Sequence, residues 1–367
     1  MKIALVFGTR PEAIKMAPVV KELERRKVDH IVIVTAQHRQ MLDQKLNVFD
    51  IVPHYDLDIM EQDQDLYYVT TAVLNEIKPV LLKEMPDVLL VQGDTTTTFA
   101  ASLAAYYQKI VVGHVEAGLR TWNKFNPFPE EINRQLTTRL TDLHFAPTEW
   151  AKNNLLREGV APERIFITGN TVIDALLMIV DPNYQFKDES LKAIDFTRRR
   201  VIVLTSHRRE NFGEPMRHVF SACRQLVEKN HDVELIYPVH PNPNVRKVAN
   251  EILSGIPRVH LIEPMEYRPF VQLMNKCYLI LTDSGGVQEE APTLGKPVLV
   301  LRKTTERPEA IEAGTAKLVG TDERTILDTA QKLLSDSAEY KKMATRTNPY
   351  GDGKAAQRIV DIIQQRR

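Results

Sequence analysis

The chain has 367 residues with 48 basic and 48 acidic side chains, so its formal net charge is zero. This length predicts two domains at about 150 residues each, and the balanced charge argues against a nucleic-acid partner, which needs an excess of cations. Two cysteines cannot build a disulfide framework, and no apolar run approaches the roughly 20 residues of a membrane span, so we expect a cytoplasmic protein with no membrane partner.

Short apolar runs alternate with amphipathic segments through the first half of the chain. The runs predict buried strands, because strands covered on both faces are continuously apolar; they are Ile3–Phe7, Ile31–Thr35, Val88–Gln92, Ile110–Gly113, Leu143–Ala146 and Arg164–Thr168. The segments between them predict helices at Glu12–Arg26, Gln37–Phe49, Leu66–Glu84, Thr96–Tyr107, Pro129–Leu140 and Thr148–Glu158. This rhythm is typical of an α/β doubly wound parallel sheet.

The rhythm pauses at a charged stretch that ends near residue 200 and then restarts. Further strands are predicted at Val201–Thr205, Glu234–Val239, Val259–Ile262, Tyr278–Thr282, Pro297–Leu301 and Ala316–Val319. We therefore expect two Rossmann-like domains, residues 1–175 and 176–353, with a last helix in 354–367 that packs back on the first domain. Ligands of such sheets bind beyond the carboxyl ends of the strands, which makes a cleft between the halves the expected site.

The turn after the first predicted strand combines a tight-turn glycine, a helix-starting proline and two cations, Arg10 and Lys15. It is neither a P-loop nor a GxGxxG fingerprint. Cations at a helix start oppose the helix dipole, whereas an anion bound there would be held by amides, dipole and cations together. An anion site and a solvated basic turn are both open interpretations.

Acidic residues follow three elements of the first half. Asp94 comes directly after a predicted strand, Glu116 follows the next one, and Glu130 opens a helix after a proline. Asp94 could cap the helix behind it, but Thr95 could serve as that cap and leave Asp94 available for a ligand. Crowded carboxylates raise one another's pKa, so the three form a candidate proton-transfer cluster.

In the second half, His207 ends a predicted strand beside Arg208, where it could donate to a phosphate or move a proton, although a structural role is the alternative. Residues 284–286, Ser-Gly-Gly, join a strand to a helix and predict a diphosphate cradle of backbone amides. Glu290 lies one turn into that helix and suits the hydroxyls of a ribose. No histidine or cysteine spacing indicates a metal site.

Taken together, these turns resemble those of the non-hydrolysing UDP-N-acetylglucosamine 2-epimerase family, over essentially the whole chain. The segments that carry the resemblance are Gly8–Lys15, Gln92–Thr98, His114–Thr121, Pro127–Arg134, Gly169–Ala175, His207–Asn211, Asp283–Pro292 and Thr304–Glu309. The family has the GT-B architecture, two Rossmann-like halves with a cleft between them. The resemblance implies a cytoplasmic homodimer that needs no cofactor or metal and interconverts UDP-N-acetylglucosamine (UDP-GlcNAc) and UDP-N-acetylmannosamine (UDP-ManNAc). The implied route is elimination of UDP to 2-acetamidoglucal followed by re-addition, which supplies ManNAc units for cell-surface polysaccharide.

The resemblance also implies roles for single residues. Asp94, Glu116 and Glu130 become acid/base candidates, and His207 assists the departure of UDP. The substrate-binding positions it implies are Arg10, Lys15, Met265, Phe270, Ser284, Gly285, Gly286, Glu290 and Arg307. Many bacterial members are activated by UDP-GlcNAc at a second site, and the positions that match this allosteric site are Gln37, Gln40, Glu131, Arg208 and His240. An arginine often found after the second helix is replaced here by the acidic segment 61–65, which argues against strong activation.

A GT-B glycosyltransferase that uses a UDP-sugar donor is the alternative function, because it shares the donor and the cleft. A hydrolysing epimerase, which releases free ManNAc, and a non-catalytic sugar-nucleotide sensor are further alternatives. The carboxylate cluster of the first half distinguishes the epimerase from the transferase, since a transferase needs an acceptor pocket at that place instead.

Overall fold

The computed structural model describes residues 1–35, 46, 48–61 and 63–366. The chain forms two compact units: unit 1 comprises Met1–Met178 and Tyr350–Arg367, and unit 2 comprises Ile179–Pro349. Most of the helix predicted at Gln37–Phe49 lies outside the described residues. None of the helices in the described ranges has the length and apolarity required to span a bilayer.

Unit 1 is built on a seven-stranded sheet in the order β3-β2-β1-β4-β5-β6-β7, and every neighbouring pair is parallel. Its strands are β1 Ile3–Phe7, β2 His30–Val34, β3 Tyr55–Asp56, β4 Val88–Gln92, β5 Val111–Val115, β6 Leu143–Ala146 and β7 Ile165–Ile167. Its helices are α1 Arg10–Arg26, α2 Leu66–Glu84, α3 Thr96–Tyr107, α4 Glu130–Leu140, α5 Glu149–Arg157 and α6 Thr171–Ile179, the last of which ends at the first residue of unit 2.

Unit 2 repeats the plan with six parallel strands in the order β10-β9-β8-β11-β12-β13. The strands are β8 Arg200–Thr205, β9 Val233–Pro238, β10 Val259–Ile262, β11 Leu279–Thr282, β12 Val298–Val300 and β13 Ala316–Leu318. The helices are α7 Glu189–Lys192, α8 Glu214–Lys229, α9 Pro243–Leu253, α10 Tyr267–Lys276, α11 Gly285–Glu290, α12 Pro308–Glu312, α13 Glu323–Ser335 and α14 Ser337–Ala344. The chain then returns to unit 1 as α15, Ala355–Gln365.

Each sheet is buried because its central strands are apolar on both faces. All five residues of β1 and of β4 are buried, as are the central four of β8. Polar side chains in the turns cap the helices: Thr95 accepts from the Thr98 N–H, and Asp65 accepts from the Tyr68 N–H. Of the two candidate caps of α3, Thr95 takes that role and the side chain of Asp94 does not.

Several strand bounds differ by one residue from the predicted ones, and three further departures affect the architecture or the site. The short edge strand β3 has only two residues, too few to give a hydrophobic period, and helix α6 was not predicted. Strand β5 runs to Val115 rather than ending at Gly113. His114 is therefore an interior strand residue and not part of a turn, because β6 continues the ladder beside it.

The last helix, α15, packs against α1 within unit 1. Arg26 of α1 lies 2.5 Å from Asp361 and donates at 3.0 Å to the Gln364 side chain. The first turn of α15 is capped by Asp174 of α6, which accepts from the Ala355 N–H at 3.2 Å and the Ala356 N–H at 2.9 Å.

Candidate functional site

Polar turns collect where the strand order of each sheet reverses. In unit 1, β1 lies between β2 and β4; the turns after β4 and β5 carry Asp94 and Glu116, and Lys15 lies in α1, the helix that follows β1. In unit 2, β8 lies between β9 and β11, and the turns that follow β8 and β11 carry His207 and Ser284. A reversal of this kind opens a crevice at the carboxyl ends of the strands, which is where open α/β sheets bind ligands.

A buried carboxylate joins the first two of these turns. Glu12 is 1% exposed and accepts from the N–H groups of Gly8 and Thr9 at 3.1 and 2.7 Å. Its other oxygen accepts from the hydroxyls of Thr95 and Thr98 at 2.8 and 3.2 Å. Burial raises the pKa of Glu12, and these hydrogen bonds offset only part of that effect. The turn that carries the exposed Arg10 is thereby fixed against the turn that carries Asp94.

Glu116 is held from three directions. Its backbone is left-handed, with a φ of 64°, and the residue is 6% exposed. The Lys15 ammonium lies 2.6 and 2.7 Å from its two oxygens, the Gln92 amide donates to Oε2, and the Asn170 amide donates to Oε1 at 3.0 Å. A short cation contact and two amide donors fix the orientation of this carboxylate.

Asp94 is held by helix α4. Nε and Nη2 of Arg134 donate to Oδ2 of Asp94 at 3.0 and 2.6 Å, and the Asn133 amide donates to the Asp94 carbonyl at 3.0 Å. The cluster was expected to consist of carboxylates that crowd one another. The structure instead pairs Asp94 with Arg134, which also contacts Glu131, and Glu116 with Lys15, so both of these carboxylates have a cation at 2.6 Å.

The first two residues of α4 differ in what surrounds them. Glu130 has a buried Oε2 with no hydrogen-bond partner among the described residues. Glu131 is 0% exposed and accepts from Thr121, Trp122, Gln135 and Arg134 at 2.9 to 3.2 Å. Burial alone would raise the pKa of Glu131, but the bonds from Thr121 and Gln135 and the Arg134 charge outweigh it and hold that pKa below its usual value.

Two ionisable residues close to Glu116 in the chain, His114 and Arg120, have structural roles. His114 is fully buried, and its Nε2 contacts the Gly93 carbonyl at 2.7 Å. Arg120 donates from Nε and Nη2 to the two oxygens of Glu158, at 2.7 and 2.9 Å. His114 therefore lies inside β5, and Arg120, in the segment after β5, is paired with Glu158.

In unit 2 the central group is Asp283, which sequence reasoning did not select. It is 0% exposed, and its Oδ2 accepts from the N–H groups of His207 and Arg208 at 2.8 and 2.9 Å. The Ser206 hydroxyl and the Asn211 amide also donate to it, both at 3.2 Å. One buried carboxylate at the end of β11 therefore shapes the whole turn after β8.

His207 faces Asp283 and a second histidine. Its Nδ1 lies 3.3 Å from Oδ1 of Asp283, an ion-pair contact, and its ring stacks on that of His240 with centroids 5.3 Å apart. Burial lowers the pKa of His207, the Asp283 charge opposes this, and the neighbouring His240 and Arg208 add to the lowering. The net direction is below the ordinary value, so a proton on His207 is readily given up.

The turn that the sequence predicts as a diphosphate cradle joins β11 to α11 in unit 2. Ser284 is the N-cap of α11, and a Cβ added to Gly285 would lie 3.5 Å from the guanidinium carbon of Arg307. Arg307 is held by Glu289 and contacts Glu306 at 3.7 Å. The bare backbone of the turn therefore lies directly beside a fixed cation, which suits a phosphate.

The remaining predicted binding residues of unit 2 also have defined surroundings. Glu290 accepts from the Tyr267 hydroxyl at 2.7 Å, and burial raises the pKa of Tyr267 well above its usual range. Phe270 lies one turn further along α10, and Met265 precedes that helix; both are half-buried. Glu290 and the aromatic side chain of Phe270 thus belong to the neighbouring elements α11 and α10.

Two of the predicted allosteric residues, Gln37 and Gln40, lie outside the described residues. Of the other three, Glu131 is occupied by the bonds given above, while Arg208 and His240 lie in unit 2 beside His207. Within the described ranges, no group of three or more His, Cys, Asp or Glu side chains could hold a metal ion.

Two units, each a Rossmann-like parallel sheet with polar turns at its strand-order reversal, define the GT-B fold class. A glycosyltransferase of kitacinnamycin, with 11% identity and a TM-score of 0.67, shares this fold. A family model described as UDP-N-acetylglucosamine 2-epimerase matches residues 21–364. The chain belongs to the UDP-N-acetylglucosamine 2-epimerase family.

Similar proteins support this membership along the full length. The chain is 56% identical over 364 residues to the UDP-N-acetylglucosamine 2-epimerase of Bacillus subtilis, which covers 99% of this chain and 95% of that protein. It is 53% identical over 381 residues to the enzyme of that name from Escherichia coli K12, covering 100% and 99%. The crystal structure of UDP-GlcNAc 2-epimerase from Neisseria meningitidis bound to UDP-GlcNAc is similar with a TM-score of 0.87, 51% identity and 100% of both chains covered.

Sequence reasoning missed the residues that hold the candidate site in place. They are Gln92 and Asn170 beside Glu116, Arg134 beside Asp94, Asp283 beside His207, and Tyr267 beside Glu290. Arg134 was the most accessible of these from sequence, since it lies one helical turn from Glu130.

Proposed function

We propose that this protein catalyses the reversible C2 epimerisation of UDP-GlcNAc and UDP-ManNAc in the cytoplasm, without hydrolysis to the free sugar. The observation that carries the proposal is the pair of cation-bound carboxylates, Asp94 and Glu116, fixed at the ends of adjacent strands β4 and β5. Inversion at C2 requires one proton to be removed from one face and another delivered to the opposite face. A single carboxylate does not serve both faces, whereas a glycosyltransferase needs no such pair.

The reaction proceeds by elimination and re-addition. The C1–O bond to the β-phosphate of UDP breaks, a carboxylate of unit 1 takes the C2 proton, and the electron pair of that C–H bond forms the C1–C2 double bond of 2-acetamidoglucal. UDP oxygen then attacks C1 again while a proton is delivered to the other face of C2. Asp94, Glu116 and Glu130 are the acid/base groups, and Glu130 has a buried oxygen with no hydrogen-bond partner among the described residues.

The residues of unit 2 bind and stabilise the departing UDP. The backbone N–H groups of Ser284–Gly286 and the Arg307 guanidinium donate hydrogen bonds to the diphosphate and stabilise its negative charge. Glu290 binds the ribose, and Phe270 and Met265 contact the uracil. His207 neutralises the leaving phosphate, and Arg10 and Lys15 supply further positive charge.

Incubation with UDP-GlcNAc in D2O tests the function. We expect deuterium at C2 of both epimers with no acceptor present, together with trace 2-acetamidoglucal and UDP. Absence of deuterium, with transfer of GlcNAc to an added sugar acceptor, would show a GT-B glycosyltransferase instead. Accumulation of free ManNAc and UDP would show the hydrolysing reaction.

Three finer features of the proposal have separate tests. The product supplies ManNAc units for a cell-surface polysaccharide, which loss of that polymer in a deletion strain would show. Homodimer formation is testable by sedimentation. Activation by UDP-GlcNAc from a second site that includes Gln37, Gln40, Glu131, Arg208 and His240 is expected to be weak, because the segment 61–65 is acidic. A hyperbolic UDP-ManNAc response without a lag, unaffected by added UDP-GlcNAc, would eliminate that site.

A further inference from the structure

The chain leaves unit 1 and returns to it through two segments that cross at close range. The backbone N–H of Asn170 donates to the carbonyl of Tyr350 at 2.7 Å. A Cβ added to Gly169 would lie 3.3 Å from the Cα of Gly351, and one added to Gly351 would lie 3.4 Å from the Cα of Gly169. The crossing therefore depends on two glycines whose φ angles are positive, 86° and 138°.

The side chain of Asn170 points from this crossing to Glu116. Asn170 is 2% exposed, and its Oδ1 accepts from the Val172 N–H at 3.1 Å. A backbone N–H only donates, so the oxygen of the amide must face Val172 and the nitrogen must face the carboxylate. Nδ2 accordingly donates to Oε1 of Glu116 at 3.0 Å.

The two halves of this amide have different purposes. The oxygen satisfies an N–H group in the first turn of α6, a capping role that Ser or Asp performs equally well. The nitrogen satisfies Glu116, which neither Ser nor Asp can do in the same way: an ionised Asp has no hydrogen to donate, and a Ser hydroxyl is too short to reach both Val172 and Glu116. The cap of α6 therefore requires only the oxygen, whereas the bond to Glu116 requires the amide nitrogen.

We infer that Asn170 is a positioning residue: its amide fixes the carboxylate of Glu116 and ties that carboxylate to the backbone crossing at Tyr350. The inference rests on the proposed function, in which Glu116 exchanges a proton with C2 of the sugar. Lys15 and Gln92 hold Glu116 from α1 and β4, inside the sheet. Asn170 holds it from the segment through which the chain passes to and from unit 2.

The test uses variants that keep the cap and remove the donor. Asn170→Ser preserves an acceptor for Val172 and loses the bond to Glu116, while Asn170→Asp places a second negative charge there. We expect kcat for epimerisation and the rate of C2 deuterium exchange to fall about ten- to a hundredfold in Asn170→Ser, and further in Asn170→Asp. KM for UDP-GlcNAc should stay within about twofold, since Asn170 holds an acid/base group rather than the substrate.

Asn230→Ser is the matched control. Asn230 lies in unit 2, where its amide donates to the Leu226 carbonyl at 2.8 Å and to Gln331 at 2.9 Å, so this variant also loses amide donors but should retain wild-type kcat. Wild-type kcat in Asn170→Ser would overturn the inference alone. Absence of C2 exchange in the wild type would overturn the proposed function instead.

A second measurement does not depend on activity. Thermal unfolding of Asn170→Ser, Glu116→Gln and the double variant forms a double-mutant cycle. If the two side chains are in contact, the melting temperature of the double variant should change by less than the sum of the changes in the two single variants. Additive shifts would overturn the contact.

The link to the crossing has its own matched pair. Gly169→Ala introduces a Cβ against Gly351 and should lower kcat as Asn170→Ser does, whereas Gly159 has a similar φ of 81° and nothing within 4 Å of an added Cβ. Equal kcat values for Gly169→Ala and Gly159→Ala would overturn the link.

Discussion

Arg134 donates two hydrogen bonds to the same oxygen of Asp94, from Nε at 3.0 Å and from Nη2 at 2.6 Å. Its third nitrogen, Nη1, reaches Glu131 at 3.2 Å. One guanidinium therefore fixes a candidate catalytic carboxylate against a fully buried structural one. Asp94 lies in the turn between β4 and α3, and the Arg134 guanidinium ties its position to helix α4.

Arg134→Lys should lower kcat about tenfold or more while leaving the charge unchanged, because an ammonium cannot reproduce the planar fork that bridges both carboxylates. Steady-state kinetics and thermal unfolding measure the change. Arg139→Lys is the control, since Arg139 is an exposed arginine of the same helix. An Arg134→Lys enzyme with wild-type kcat would show that Asp94 does not depend on the fork.

Asp283→Asn should shift the pH dependence of the reaction. The Asp283 charge raises the pKa of His207 against burial, His240 and Arg208, so its removal lowers that pKa further. His207, whose protonated form assists UDP departure, then loses its proton at a lower pH. The alkaline limb of kcat should move to lower pH, and activity at pH 8 should fall more than activity at pH 6.

The asparagine retains an oxygen for the N–H groups of His207 and Arg208, which Asp283 accepts at 2.8 and 2.9 Å. The turn should therefore keep its shape, and circular dichroism and melting temperature check this. Asp322→Asn is the control, because Asp322 caps α13 by accepting from the Thr325 N–H at 2.8 Å. An unchanged pH profile in Asp283→Asn would mean that His207 does not act through its proton.

The sequence predicts the fold well because parallel strands buried on both faces are continuous apolar runs. Strands β1, β4 and β6 have the predicted bounds, and the α/β GT-B fold class is confirmed. The polar turns that follow these strands could also be found, since a short polar segment after an apolar run is visible in one dimension.

The partners of the site residues could not be predicted, because helix packing brings together residues that are far apart in the chain. Glu116 meets Lys15 across 101 positions and Asn170 across 54, and Asp94 meets Arg134 across 40. Sequence spacing carries no signal for such contacts. The same holds for His114, where two further residues of β5 replaced a predicted turn by a buried strand position.

Two buried histidines should make unit 1 sensitive to acid. His114 and His144 are register partners on β5 and β6 and are 0% and 1% exposed. Burial lowers the pKa of His114 to about 4 and that of His144 to about 3, where the charge of His114 adds to the effect. In the unfolded chain both pKa values are about 6.5, so protons bind the unfolded state first.

Stability from this pair is present above about pH 6.5 and lost as the pH falls toward 4. Each histidine contributes a slope of about 1.4 kcal/mol per pH unit in the free energy of unfolding. His144→Gln should reduce that slope by the contribution of one histidine, about 1.4 kcal/mol per pH unit. Urea unfolding between pH 6 and 4.5 measures the change. His231→Gln, at an exposed site, is the control. Parallel slopes for His144→Gln and the wild type would contradict the prediction.

Asp174 should have the opposite pH dependence. Burial raises the pKa of its carboxyl to about 6, and the bonds from Ala356 and Ala355 offset this only in part. An acid whose pKa rises on folding gives stability that is complete below the unfolded value near 3.9 and lost as the pH rises through 6. At neutral pH, ionisation of Asp174 therefore weakens the capping contact that attaches the first turn of α15 to α6.

Asp174→Asn cannot ionise, so its stability relative to the wild type should increase by about 2 kcal/mol between pH 4.5 and pH 8. Denaturant unfolding of both proteins at the two pH values measures the difference, and the effect of the buried histidines cancels in the comparison. Asp336→Asn is the matched control: Asp336 also caps a helix through two backbone N–H groups, at 2.9 and 3.1 Å, in unit 2. A relative stability of Asp174→Asn that does not change with pH would show that this carboxyl is not strained by burial.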